Sequence, residues 1–164
     1  SAADPSSLAS WTAEKFDQAL NWDRIKRLMD MWGGKVILKG ILDAEDARMA
    51  LSVGADAIVV SNHGGRQLDG VTSSIVKLPE VVAAVGDRAE VYMDGGVRSG
   101  MDVVKAVALG AIGVLIGRPW AWAMAGRGQQ GLTDLLGVFQ KEITVAMALM
   151  GVKSISEITP DAID

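Results

Sequence analysis

The sequence predicts an α/β chain built from repeated strand–helix units, half of a (β/α)8 TIM barrel supplying strands five to eight and their helices. Three observations predict it. Asp46–Ala55 and Asp102–Ala111 match as an internal repeat 56 residues apart, each a helix running through Leu/Val-Gly-Ala into a strand. Repeated strand–helix units with right-handed crossovers make either an open doubly wound sheet or a barrel. Four strands can be counted, and all four end in polar or glycine residues. A doubly wound sheet gathers its ligand contacts at one switch point, whereas every strand–helix loop of a barrel faces one mouth. Finally, the chain has 164 residues, and a whole barrel takes about 250.

In chain order, Ser1–Ser10 is small and polar and reads as a flexible tail or cut loop, and Trp11–Leu20 carries no clear pattern. Residues 1–20 are expected to be the remnant of a long loop after the fourth barrel strand, and 21–164 the domain. Asn21 is an N-cap for a helix over Trp22–Trp32, with Ile25, Leu28, Met29 and Trp32 on one face and Gly33-Gly34 as its stop. Lys35–Gly40 is a buried strand carrying Lys39 at its end. Asp43 caps a helix through Val53, ended by Gly54. The strand Ala57–Ser61 follows. Pro79 is placed in the first turn of the next helix, which runs to Gly86. Glu90–Asp94 is a strand, Ser99 caps a helix over Met101–Leu109, and Gly113–Gly117 is the fourth strand. Two helices are expected to close the chain, Pro119–Ala125 and Thr133–Met150. The second buries Leu135, Leu136, Phe139, Ile143, Met147 and Met150.

Composition narrows the function. Sixteen basic residues against twenty acidic give a net charge of −4, which offers no general attraction to nucleic acid. No cysteine is present and histidine occurs once, which removes thiolate nucleophiles, disulfides and a zinc site, so no metal is expected. No apolar run reaches the roughly 18–20 residues that span a bilayer, and no secretory signal is seen, so a cytoplasmic location is the expectation.

The single histidine, His63, sits where the apolar run Ala57–Val60 gives way to Ser61-Asn62-His63-Gly64-Gly65-Arg66. A side chain that titrates near neutrality, followed three residues later by a bidentate anion clamp, suits proton abstraction beside a carboxylate or phosphate. The same residues also fit a loop histidine bonded to a backbone carbonyl. The next two strand ends, Asp94-Gly95-Gly96-Val97-Arg98 and Gly117-Arg118, combine free backbone N–H groups, guanidinium groups and helix N-termini, a phosphate-binding set. Read singly, each is equally a glycine turn with an arginine paired to surface carboxylates.

VILKG, DAIVVSNHGGRQLDG, YMDGGVRSG and VLIGRP, in this order and spacing, resemble the C-terminal half of the FMN-dependent L-2-hydroxy acid oxidases and dehydrogenases. The resemblance runs from about Trp22 to the C-terminus, and KEITVAMALMGVKSISEIT is most similar to the bacterial L-lactate dehydrogenase branch. It implies FMN as cofactor and oxidation of an L-2-hydroxy acid, L-lactate first, to the 2-oxo acid. It further implies His63 as the active-site base and Arg66 as the ligand of the substrate carboxylate. Lys39 would stabilise negative charge on the reduced flavin, and Ser61, His63 and Gly64 would lie against the flavin. Asp94, Gly95, Gly96, Arg98, Gly117 and Arg118 would hold the ribityl chain and phosphate.

In that family the first four strand–helix units carry an active-site tyrosine, an aspartate orienting the base and a second substrate-binding arginine. The sequence resembles only the family's later units, which implies a companion polypeptide holding strands one to four. A homo-oligomer, tetrameric by analogy, is also implied, with quinone-using relatives at the inner membrane face. Two other readings compete: a non-catalytic half-barrel that pairs with itself and binds a phosphate ligand, and another FMN- or phosphate-binding barrel such as an IMP dehydrogenase relative. Against the last stand the missing cysteine nucleophile and the NHGGR loop.

Overall fold

The computed structural model describes residues 19–163. The expected loop remnant 1–20 lies outside the described residues except for its last two. Four parallel strands, β1 (Ile37–Ile41), β2 (Ala57–Val60), β3 (Glu90–Asp94) and β4 (Gly113–Leu115), form one sheet in the order β1-β2-β3-β4. Consecutive strands are therefore neighbours, and the order never reverses as it does at a switch point. Between them run α1 (Trp22–Trp32), ahead of β1, then α2 (Ala44–Ser52), α3 (Ser74–Val85) and α4 (Gly100–Ala108).

All the crossovers pack on one face. Leu38, Ile58, Val60, Val91, Met93 and Val114 of the sheet, with Ile116 just beyond it, join Ala47, Ala50, Leu78, Val81, Val85 and Ala106 of the helices in a single core. The alternate residues, Ile37, Lys39, Val59, Tyr92, Gly113 and Leu115, belong to neither hydrophobic cluster. No described helix covers that face, and Ile37 and Leu115 stand exposed on it.

Helix ends follow the capping residues. Asn21 and Asp43 accept the N–H of Arg24 and Glu45 through their side chains, and Ser99 with Asp102 forms a full capping box. The internal repeat is also a repeat of hydrogen bonds. Ala55 N–H donates to Ala50 O and Gly54 N–H to Leu51 O; Ala111 and Gly110 donate in the same way to Ala106 and Val107. This Schellman pattern needs a left-handed residue, and Gly54 and Gly110 each supply φ +100.

Five expectations are corrected. β1 runs Ile37–Ile41 with none of its residues buried, where a buried strand over Lys35–Gly40 was expected, because no described strand neighbours its outer edge. Pro79 lies inside α3, not in its first turn, because the helix begins at Ser74. Burial of Ser74 and Leu78 outweighs the proline's lost backbone bond, and Pro79 itself faces solvent. Two helices close the chain as expected, running together as α5 (Arg118–Met150) across a break where Arg127 and Gly128 leave helical geometry, but the second starts some four residues earlier than expected. Leu136 is exposed rather than buried, and Ala146 takes its place in the packed stripe. The fourth strand also stops at Leu115, two residues short of Gly117.

At the N-terminal ends of the strands, Lys35 Nζ lies 2.7 Å from Asp56 Oδ1, and Asp56 Oδ2 accepts Val36 N–H at 2.8 Å. These bonds hold the Asp56 carboxyl below its usual range. Its contribution to stability is thus complete above the ordinary carboxylate pKa and fades as pH falls through the lowered folded value.

The repeat predicts unequal responses to one substitution. A Cβ at Gly110 would come within 2.7 Å of Val82 Cγ1, whereas at Gly54 the nearest atom is Met29 Cε at 3.8 Å. Both Gly→Ala changes should cost about 1–2 kcal/mol for the left-handed backbone. Gly110→Ala should cost more in urea denaturation of the protein, and equal midpoints would refute the close packing.

Candidate active site

The sheet sends its C-terminal ends to one mouth. There a cleft of about 270 Å³ is lined by ten of the eleven residues singled out from the sequence: Lys39, His63, Gly64, Arg66, Asp94, Gly95, Gly96, Arg98, Gly117 and Arg118. The eleventh, Ser61, is 2% exposed and lies at the end of β2 with its hydroxyl bonded to Lys39. Val97, Leu115 and Pro119 complete the lining.

Lys39 shares the face of Ile37 by alternation along β1, and a bulge follows it. Lys39 pairs with Val59 and Ile41 with Val60, so Gly40 is an extra residue, at φ +100. In a regular strand residues 39 and 41 would share a face. The bulge instead turns Ile41 to the helix-covered core and leaves Lys39 on the other side. Its Nζ lies 2.7 Å from Asp94 Oδ2 and donates to Ser61 Oγ at 2.9 Å. The other oxygen of that carboxylate, Asp94 Oδ1, is buried with no hydrogen-bond partner.

The loop after β2 is held just as tightly. Residues His63–Gly65 make a single 3-10 turn, and His63 is the only described non-glycine residue with positive φ, +54. A left-handed conformation costs an L-residue about 1–2 kcal/mol, so neighbours must hold it in place. His63 N–H donates to Ser61 Oγ at 3.0 Å, and Gly64 N–H to Asn62 Oδ1 at 2.9 Å. From the end of β4, Arg118 Nη2 donates to Gly64 O at 2.8 Å. The side chains of His63 and Arg66 remain exposed at the cleft.

Two residues here escaped the sequence reading. Asn62 was legible in principle, since Asn-X-Gly is a signature of a side chain that bonds the backbone two residues on. Ser74, which accepts Asn62 N–H at 3.0 Å from the far side of an exposed loop, had no local signal.

The cleft carries four cationic side chains, Lys39, Arg66, Arg98 and Arg118, against the single carboxylate of Asp94, on a chain of net charge −4. Such a concentration of positive charge favours anionic ligands. An imidazole, guanidinium groups and glycine-lined backbone in one concavity suit the binding of an anion. No group of three or more metal-ligating side chains occurs among the described residues.

Comparison with known proteins names the class. The model of the FMN-dependent dehydrogenase family matches residues 1–164. The L-lactate dehydrogenase of Caulobacter vibrioides is 55% identical over 148 residues, covering 90% of this chain and 39% of that protein. That of Azorhizobium caulinodans is 52% identical over 162 residues, covering 97% and 43%. Among solved structures, mandelate oxidase superposes with a TM-score of 0.86 at 49% identity, over 95% of this chain and 45% of that one. A mandelate oxidase mutant with the monooxide FMN adduct gives 0.80 at 50% identity, over 84% and 44%. The chain belongs to the FMN-dependent dehydrogenase family, whose cofactor is FMN. It spans roughly two fifths of the length of the curated relatives, 39% and 43% for these two.

Proposed function

We propose that this chain forms the FMN- and substrate-binding half of an enzyme that oxidises an L-2-hydroxy acid, L-lactate first, to the 2-oxo acid. The observation that carries the reading is the convergence of His63, Arg66 and the arginine-rich strand ends of β3 and β4 on one cationic cleft. The relatives named L-lactate dehydrogenase and mandelate oxidase support the reaction class.

The residues present fit FMN. The buried, unpartnered Asp94 Oδ1 is an acceptor suited to a ribityl hydroxyl. Nothing stands within 4 Å of where a Cβ would lie at Gly96 or Gly117, which leaves room for a chain passing close to the backbone. Arg98 and Arg118 suit a phosphate, with Gly95 completing the turn between Asp94 and Arg98. Ser61, His63 and Gly64 would border the flavin ring, and Lys39 would supply positive charge there. When bound, FMN supplies the acceptor for the two electrons leaving the substrate. Arg66 would bind the substrate carboxylate through its planar fork, and His63 would take the proton from the carbon-2 position or its hydroxyl.

The second half of the site is assigned to a companion polypeptide carrying strands one to four, which would close the sheet into a barrel. Support comes from the sidedness of the sheet. Strands in simple order with every helix on one face suit a barrel segment, and a parallel sheet is ordinarily buried on both faces. The apolar surface of α1 points the same way, with Leu28 60% and Trp32 71% exposed. A second copy of this chain could cover the same surface, which is the rival reading. Among the described residues no helix is long and apolar enough to cross a membrane, and a cytoplasmic enzyme is proposed, assembled as a homo-oligomer.

The purified native protein should show an oxidised flavin spectrum that bleaches when L-lactate is added without oxygen. A colourless protein would favour the self-paired half-barrel. In the complete enzyme, His63→Gln should retain FMN and lose about 10²–10⁴-fold in turnover, as removal of a general base does. Arg66→Lys should raise KM for L-lactate by tenfold or more, about 1.4 kcal/mol, because a point charge replaces a bidentate clamp. Arg98→Gln should weaken FMN while leaving riboflavin, which lacks the phosphate, bound as before. Parallel losses for both flavins would remove Arg98 from the phosphate site.

A further inference from the structure

The strained turn that presents His63 is held by a residue outside the cleft. Ser74, the first residue of α3, is 1% exposed. Its hydroxyl accepts Asn62 N–H at 3.0 Å and lies 3.5 Å from Asn62 Oδ1, to which it donates. Asn62 Oδ1 in turn accepts Gly64 N–H at 2.9 Å. The residues on either side of His63 are thus fixed by one buried hydroxyl arriving from the sheet's helix-covered side. The third wall is Gly95, at the end of β3. A Cβ there would fall 2.8 Å from Asn62 Oδ1 and 3.0 Å from Ser74 Oγ, so the pair fills the space that only a glycine leaves.

We propose that Ser74 is a positioning residue for His63, acting through Asn62 to lock the His63–Gly65 turn in its left-handed form. The role of His63 as base rests on the function proposed above; the hold on the turn rests on hydrogen bonds alone. Ser74 does not itself line the cleft; it meets the lining from behind, against Gly95. Its loss therefore acts on the base's placement, where a small displacement can cost much rate, and not on binding.

The test compares Ser74→Ala and Ser74→Thr with the parent in the complete flavin-loaded enzyme, by two readouts. In Ser74→Ala, amide hydrogen exchange across 62–66 should speed by about tenfold, the worth of one lost hydrogen bond, with β2 unchanged. Turnover of L-lactate should fall about 10- to 100-fold while KM and FMN content stay within twofold of the parent. Ser74→Thr, which keeps the hydroxyl, should restore both. Unchanged exchange in 62–66 would overturn the proposal. So would faster exchange with normal turnover, or loss of FMN in step with activity, the mark of a merely structural residue. A parent enzyme inert to L-lactate would defeat the functional reading alone, and the exchange comparison would still decide whether Ser74 holds the turn.

Discussion

The ion pair between Lys39 and Asp94 joins two strands that are not neighbours. β1 and β3 are separated by β2, and the 2.7 Å contact crosses the end of that central strand above Ser61. Ser61 is bonded to the lysine and also receives the N–H of His63. Three strand ends and the loop after β2 are therefore one polar lattice. The lysine is 40% exposed and the aspartate 17%, so water screens much of the attraction and its worth is geometric more than energetic. It orients Asp94 with one oxygen satisfied and the other free for a donor. The pair is formally neutral as a whole, so the net charge of the cleft is that of its three arginines.

That lattice exists because the two faces of the sheet have different tasks. Ile58, Val60, Val91 and Met93 pack against helices and supply the cohesion. Their alternates along the same strands face a side without described helices. Period-two alternation usually separates core from water. Here it separates a filled core from a face that no described helix covers, with Leu115 exposed at the charged cleft and Ile37 exposed at the opposite end of the sheet. Polar groups at the strand ends are thus held from the filled side while the other side stays open.

What could be read from the sequence was what local chemistry decides. Caps at Asn21, Asp43 and Ser99, stops at Gly33 and Gly54, and the polar strand ends announce themselves within a few residues, and the structure keeps them. Pro79 misled because a proline signals a first turn only when nothing upstream competes; here burial of Ser74 and Leu78 extends the helix backward. Leu136 satisfies a helical stripe, yet it stands exposed while Ala146, further along the same arm, is buried. Ser74 was invisible for a different reason. Its partner is twelve residues away across an exposed loop, and no periodicity records a contact that only the tertiary fold creates.

The internal repeat sets two different loops on one scaffold. Both copies end their helices with the same pair of hydrogen bonds and the same left-handed glycine, and both then enter a strand of the shared sheet. Beyond the strands the likeness stops. At the period of the repeat Ser61 corresponds to Gly117 and Asn62 to Arg118, so a loop that clamps its own backbone in one copy becomes an arginine in the other. Keeping the scaffold while changing the loop beyond each strand is how a parallel α/β fold acquires new sites. The two copies are nevertheless coupled, because Arg118 gives a hydrogen bond to the carbonyl of Gly64. The guanidinium proposed to meet the phosphate thus also braces the turn that presents His63. The proposed anion site at one end of the cleft and the posture of the proposed base at the other share a single side chain.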